Sequence, residues 1–356
     1  FGQARLTFLQ QCRKPDDIKE GIRSEMTKLL DAGFVCPLTD LPAETRALIQ
    51  GAAVKHYFPW RSVAKPDSVS TPTRLVVDPS MSLLNLILAK GDPQLSSMFS
   101  ILLRARSAPC LWSADVKKLY NMLFLEEECL PYSLFLYNPS LDSSEEPQVF
   151  VLLRAWYGVA STSGQATYAM RKLGLDHAKS HPLGSRVLLS DAYVDDLLPA
   201  TQSRAESDEQ VRQVNEILAR GGMSLKFVAH SGDPPPELAA PDSDSMSVLG
   251  YRYIPVADRF MLNLSEVNFN KKLRGAKAPN AEPCTSSEAI EGLIESLPKL
   301  TRRHVVAKAA EFFDPLGMFE PFKAHLKRAL TALNSLGWND AVSYTHLRAH
   351  ETKANL

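Results

Sequence analysis

At 356 residues the chain can hold two or three packed subdomains, well above the size at which core burial becomes marginal. Its 45% hydrophobic and 22% charged residues are those of an ordinary soluble globular protein. Forty Lys and Arg balance forty Asp and Glu, so whole-chain electrostatics neither suggest nor exclude a nucleic-acid partner, and any basic groove must be local. No apolar run approaches the length of a membrane span, and residues 1–30 carry no signal-peptide pattern. The five cysteines are scattered, with no C-x-x-C, which fits a reducing compartment and argues against a zinc module. The first residue is Phe1 rather than Met, so the expectation is a piece of a longer chain.

In chain order, "PDDIKEGIRSEMTKLLDAGFV" predicts a helix. Pro15 suits its first turn, Ile18, Ile22, Met26, Leu29 and Leu30 share one face, and Gly33 stops it. "AVKHYFPWRSVAKPDSVSTPTRLVVDPS" turns to short β-branched and aromatic runs broken by prolines, as in a two-stranded hairpin. "APCLWSAD" is a buried strand ending at Asp115. "CLPYSLFLYNPSLDSSEEPQVFVLLRAWYG" places two apolar runs around an acidic loop at 140–147, a second hairpin, and a helix follows from about Ser161. "SRVLLSDAYVDDLLPATQ" reads as two short strands meeting at Asp195 and Asp196. "SDEQVRQVNEILARGG" reads as a helix capped by Ser207 and stopped at Gly221. "SVLGYRYIPVADRFML" is a hairpin, and two helices follow over "TRRHVVAKAAEFF" and "PFKAHLKRALTALNSLG". The sum is an α+β chain whose antiparallel sheet carries helices on one side.

Two adjacent aspartates after Tyr193-Val194 pose the functional question. In a regular strand neighbouring carboxylates point to opposite faces. By itself the tetrapeptide is as much a strand-ending turn as half of a metal site. Asp115 ends another apolar strand 80 positions earlier. If the two strands pair, three carboxylates meet at one sheet edge, where their repulsion calls for divalent cations, and hard Mg²⁺ prefers carboxylate and phosphate oxygens. Two such ions are the machinery of phosphoryl transfer in polymerases.

The order "TRLVVD…SLLNLIL", "SADVKKLYNMLFL", "YGVASTSGQA", "YVDDLL", "GGMSLKF", "VLGYRYIPVADRF" resembles the reverse transcriptase of the Bel/Pao class of LTR retrotransposons, in unbroken order over roughly residues 10–340. The resemblance implies a right-hand polymerase fold. Its fingers cover 55–112 and 127–160 and its palm 113–126 and 161–262. A helical lead-in covers 1–54, the thumb 263–300 and connection-like helices 301–341. It implies RNA- or DNA-templated DNA synthesis from dNTPs, with two Mg²⁺ ions or Mn²⁺ as substitute. The partners are an RNA template and a DNA primer. RNase H and integrase regions belong to the same polyprotein, and the setting is cytoplasmic, within retroelement particles.

Carried over by position, Asp115, Asp195 and Asp196 match the catalytic aspartates, and the Val116 carbonyl completes a metal's coordination. Tyr120 matches the aromatic gate that excludes a 2′-hydroxyl. Arg74 matches the fingers arginine that grips the triphosphate, with Lys65 a second candidate for that task. Gly158 matches the glycine that lets backbone approach the nucleotide. Lys226 is a candidate general acid for the leaving pyrophosphate.

Ser163-Gly164 stands where the family has Ser-Pro, a departure expected to loosen the start of that helix. Residues 298–330 carry seven Lys and Arg against three Asp and Glu, a charged helix face or a duplex-backbone contact. His177 and His181, spaced i, i+4 but followed by Pro182, read as a helix end rather than a zinc site. The last fifteen residues, "VSYTHLRAHETKANL", resemble a translated sequencing adaptor and are set aside as a non-native tail. The competing reading is a decayed or domesticated polymerase-like module that binds nucleic acid or serves a structural role.

Overall fold

Two helices open the chain, α1 (Gly2–Cys12) and α2 (Asp16–Asp31). Asp16 and Asp17 oppose the positive end of α2, Ile22, Met26 and Leu29 bury its inner face, and Gly33 ends it at φ +64°. Strand β1 (Val35–Pro37), helix α3 (Ala43–Gly51) and the hairpin β2 (Trp60–Ala64) and β3 (Thr73–Val77) follow. A short helix α4 (Leu84–Ile87) and helix α5 (Met98–Arg104) lead into β4 (Cys110–Val116). The second hairpin is β5 (Leu134–Tyr137) with β6 (Gln148–Leu152), and β1 pairs on the far side of β6. Phe8, Ile22, Met26, Trp60, Phe135, Phe150 and Trp156 form one core around these elements. The acidic 140–147 loop is fastened to the first two helices, where Arg5 pairs with Glu146 and Arg23 donates to the carbonyls of Pro139 and Ser140. The computed structural model describes residues 1–64, 72–92, 94–240, 243–262, 301–311 and 313–342, so Lys65, the 263–300 segment and 343–356 lie outside it.

Helices α6 (Thr162–Asp176), α7 (Pro182–Ser190) and α8 (Arg204–Arg220) pack under β4. Ser163-Gly164 falls inside the first turn of α6, which still begins at Thr162. Short strands β7 (Ala192–Tyr193), β8 (Asp196–Leu197) and β9 (Ala200–Thr201) follow α7, and β10 (Leu225–His230) follows α8. The sheet runs β10-β4-β8-β7, all antiparallel, with β9 also paired to β4. Trp112, Val116, Met170, Val187, Leu197, Val214 and Ile217 fill the core between sheet and helices. The expected α+β layout, with helices behind an antiparallel sheet, is what the chain adopts.

Two sequence expectations are corrected. "SRVLLS" is the end of helix α7, not a strand. An apolar run that short fits either period, and the arbiters here are Pro182 at the first helical position and Gln213, whose Oε1 accepts from Leu183 and Gly184 N–H. The cap of α8 is Ser203, whose hydroxyl accepts from Glu206 N–H, rather than Ser207. Ser207 sits one turn further in, fully buried, sharing a 2.6 Å hydrogen bond with Thr201.

By contact density the chain forms two units, Phe1–Leu249 with Tyr253–Arg259 and Gly250–Arg252 with Phe260–Leu356. Strands β11 (Met246–Val248), β12 (Tyr251–Ile254) and β13 (Arg259–Leu262) form a meander that includes the expected hairpin. In the second unit, α9 (Arg302–Glu311) and α10 (Glu320–Ala332) are the two expected helices. Within it Asp314 accepts from the Tyr251 hydroxyl and from Phe319 N–H. Much of the basic run is partnered locally, as Lys323 and Lys327 pair with Glu320 and Arg302 donates to Leu336 and Asn334.

Gly184 is where α7 crosses α8. A Cβ there would stand 2.8 Å from the Gln213 backbone carbon and the Val214 nitrogen. Gly184→Ala should cost about 1–3 kcal/mol, the usual range for overpacking. Denaturant melts measure it, and an unchanged midpoint would mean the two helices are free to move apart.

Candidate active site

The hairpin that carries the aspartate pair is as tight as a hairpin can be. Tyr193 pairs with Asp196, leaving Val194-Asp195 as a two-residue turn. Val194 takes φ +57°, an uncommon and strained conformation for a β-branched residue. Its neighbours hold it there. Asp195 offers its carbonyl to Val116 N–H at 2.8 Å, and Asp196 stands directly opposite Asp115. At the hairpin base Leu198 N–H donates to the Asp191 carbonyl, and the buried Asp191 carboxylate accepts from Arg104 Nε at 2.7 Å. The turn thus brings Asp195 to Asp115 while Asp196 lies beside both, as the sequence spacing predicts.

All three carboxylates are half-buried. Burial first, then the negative charge of Asp195, pushes Asp115 up to about 6, against the opposing pull of Lys226 and Arg74. Asp196 is pushed to about 7 by burial, with the charges of Asp195 and Asp115 adding to it. Among the described residues no group of three or more His, Cys, Asp or Glu side chains is arranged to hold a metal ion. Carboxylate oxygens are the ligands that a hard divalent cation prefers. The Val116 backbone lies beside them, bonded to the Asp195 carbonyl. Lys117 N–H donates to Ser224, so Val116 is a non-hydrogen-bonded position toward β10, and its N–H and carbonyl both face the Asp195 turn.

The other predicted residues arrive from separate elements. A β-bulge between Leu225 and Phe227 leaves Lys226 unpaired and re-aims it, so that its Nζ stands 3.9 Å from Asp115 Oδ2. Arg74 lies exposed on β3, and its charge reaches Asp115. Tyr120 lies in the short turn Leu119–Met122 after β4, half-buried, and burial pushes its hydroxyl up, with Ser163 opposing. Gly158 takes φ +96°, and a Cβ there would stand 3.1 Å from the Val77 carbonyl, so position and conformation both demand glycine. His177 and His181 sit apart from this cluster, where His177 bonds the Leu173 carbonyl and His181 bonds Glu216.

Tyr157 was not singled out in the sequence reading. Its ring lies 4.7 Å from that of Tyr120, at 52°. Its hydroxyl is pushed up to about 12 by burial and by the Asp195 charge, with Arg74 opposing. Tyr157 therefore belongs to the same cluster as the carboxylates. In the sequence it opens the stretch "YGVASTSGQA", directly before Gly158.

Carboxylates on paired antiparallel strands, helices behind them and an aromatic pair beside them make a reverse-transcriptase-like fold. Solved structures with this fold include the foamy viral protease-reverse transcriptase in complex with an RNA/DNA hybrid, at TM-score 0.56 and 15% identity over 96% of this chain and 37% of that one. A second is the foamy viral protease-reverse transcriptase dRH in complex with double-stranded DNA, at TM-score 0.56 and 15% identity, covering 92% and 45%. The chain thus spans less than half the length of these two neighbours. No protein-family profile matches it, and neither does any curated protein.

Burial of these carboxyls, with the crowding of their charges adding to it, sets a pH dependence. Folded Asp115 and Asp196 keep their protons to about pH 6 and 7, whereas unfolded carboxyls release them near pH 4. Between those limits the folded state binds more protons, so the two groups' contribution to stability is present below about pH 4 and is lost as pH rises to about 7. With a chelator present, Asp196→Asn should gain stability over wild type on going from about pH 5 to about pH 8. A difference that shrinks over that window would remove the crowding account.

Proposed function

We propose that the chain is the polymerase domain of a retroelement polyprotein of the Bel/Pao class, a reverse transcriptase that extends a DNA primer on an RNA or DNA template. The observation that supports this most directly is the Asp115–Asp196 register with Asp195 in the adjoining turn, on a fold shared with reverse transcriptases. Its parts follow the right-hand plan, with the β4 sheet as palm and the two hairpins as fingers. RNase H and integrase regions belong to the same polyprotein, and the work is done in cytoplasmic particles.

In the reaction the primer 3′-oxygen attacks the α-phosphate of a dNTP, a new P–O bond forms, and pyrophosphate leaves. Asp115 and Asp195, with the Val116 carbonyl, would hold the cations, and Asp196 would add charge behind them. Magnesium, or manganese in its place, would supply the positive charge that activates the hydroxyl and offsets the developing charge on the phosphates. Arg74 grips the triphosphate through its planar fork, and Lys65 is a second candidate for that task. Lys226 can serve the leaving group as a proton donor only after its ammonium departs from Asp115. Tyr120 bars a ribose 2′-hydroxyl, and Gly158 lets backbone come close to the nucleotide.

Asp195→Asn removes a charge that binds cations and relieves repulsion between anions. It should abolish primer extension while the melting temperature holds or rises. Extension near the wild-type rate would take Asp195 out of the centre, and a wild-type chain that extends no primer would favour the decayed or structural module.

Discrimination by Tyr120 rests on a clash with the wrong sugar, so it can be removed without building a contact. Tyr120→Ala should raise rNTP incorporation far more than it lowers dNTP incorporation, measured as the ratio of kcat/KM values on one primer-template. A core aromatic would instead lose about 3–5 kcal/mol of stability on truncation and both substrates would suffer alike.

A further inference from the structure

The segment before α5 breaks local rules. Leu83 enters α4 at φ +64°, and Leu83, Leu86 and Ile87 expose 61%, 79% and 83% of their surface. A four-residue helix has no stability of its own, and backbone strain held beside exposed leucines marks a segment shaped by what it contacts. Leu84 packs partly buried against the first core, and Asn85 makes the polar contact. The carboxamide Nδ2 donates to the Gly158 carbonyl at 2.8 Å, and Oδ1 accepts from Ala160 N–H at 2.9 Å. Only this orientation of the amide satisfies both partners, because the flipped amide would set donor against donor and acceptor against acceptor.

These two bonds bracket the turn that follows Tyr157. The preceding residues are fastened from the opposite side. Asn121, next to Tyr120 and 3% exposed, donates to the Ala155 carbonyl, and Ala155 N–H donates to Leu123. Trp156 is buried in the first core. Tyr157 is thus held between an anchored Ala155-Trp156 and an anchored Gly158–Ala160. Gly158, against the Val77 carbonyl, has a conformation no other residue readily takes, so the turn depends on outside bonds to stay in place.

We propose that Asn85 is a positioning residue of the nucleotide pocket, its carboxamide clamping the Gly158–Ala160 turn so that the Tyr157 ring lies against Tyr120. The inference rests on the polymerase reading. Through the clamp, a residue that does not touch the nucleotide sets the depth of the floor on which the sugar rests. It acts on substrate fit rather than on the carboxylates, so its loss weakens binding and sugar selection more than turnover.

The test compares wild type, Asn85→Ala and Asn85→Asp, each as the 356-residue chain, by amide hydrogen exchange and by steady-state extension of one primer-template with magnesium and dNTP or rNTP. Asn85→Ala should speed exchange at residues 158–160. It should raise KM for dNTP about tenfold, the effect of losing two modest hydrogen bonds, with a smaller loss in kcat and a lower dNTP-over-rNTP preference. Asn85→Asp keeps the acceptor for Ala160 but sets an oxygen against the Gly158 carbonyl, and should be no better than Asn85→Ala in KM and preference. Wild-type KM and preference in Asn85→Asp would mean the side chain only fills space, overturning the proposal. Unchanged exchange, KM and preference in Asn85→Ala would overturn it as well, with the polymerase reading intact. A wild-type chain that extends no primer would instead overturn the polymerase reading, and the pocket role with it, whatever the exchange data show.

Discussion

The candidate site depends on one backbone hydrogen bond, from Val116 N–H to the Asp195 carbonyl. It ties the end of β4 to a two-residue turn and so sets the distance between carboxylates that lie 80 residues apart in the chain. A slip of one residue would carry Asp115 to the other face of the sheet, among the packed helices. The register is held by what that face buries, since Ala114 and Val116 belong to the core under the sheet while Asp115 alternates away from it. The strained Val194 and the crowded anions are both costs, and the surrounding packing sustains them. Below the turn, the bond from Arg104 to the buried Asp191 and the Leu198 N–H bond to Asp191 fix the hairpin from its base.

Charge around the turn is compensated from a distance rather than by close partners. Lys226 is brought in by a bulge and Arg74 by the end of a hairpin strand, and each lowers the acidity cost at Asp115 only in part. What remains is a pair of carboxyls, Asp115 and Asp196, that hold protons well above the ordinary carboxylate range. The aromatic pair Tyr120–Tyr157 lies to one side, on turns that β4 and β6 each feed. The groups are therefore gathered from β3, from β4 and the turn that follows it, from the turn after β6, from the Asp195-Asp196 hairpin and from β10.

The helices α2, α6, α8, α9 and α10 and both early hairpins were legible from period, caps and turn residues, because each pattern is local. The exceptions show where locality ends. "SRVLLS" became helix because Gln213, 23 residues past Ser190, caps its first turn, and no window around 182–190 contains that fact. Ser203 displaced Ser207 as cap because Thr201 draws the Ser207 hydroxyl inward, a contact that needs the β9–α8 packing.

By itself, the order of residues determined that strands end at Asp115 and at Asp195-Asp196, that a glycine stands at 158 and an aromatic at 120, and that the chain can fold into an antiparallel α+β domain. These follow from side-chain chemistry and short-range periodicity, which the chain carries locally. Tertiary structure alone decided that Asp115 faces Asp196 in register, that a bulge turns Lys226 to Asp115, and that Tyr157 and Asn85 belong to the site. Tyr157 and Asn85 stand inside the stretches "YGVASTSGQA" and "SLLNLIL", but neither stretch shows by itself what the two side chains touch. Their roles come from hydrogen bonds and ring contacts across 73, 75 and 37 residues, and such distances are closed only by folding.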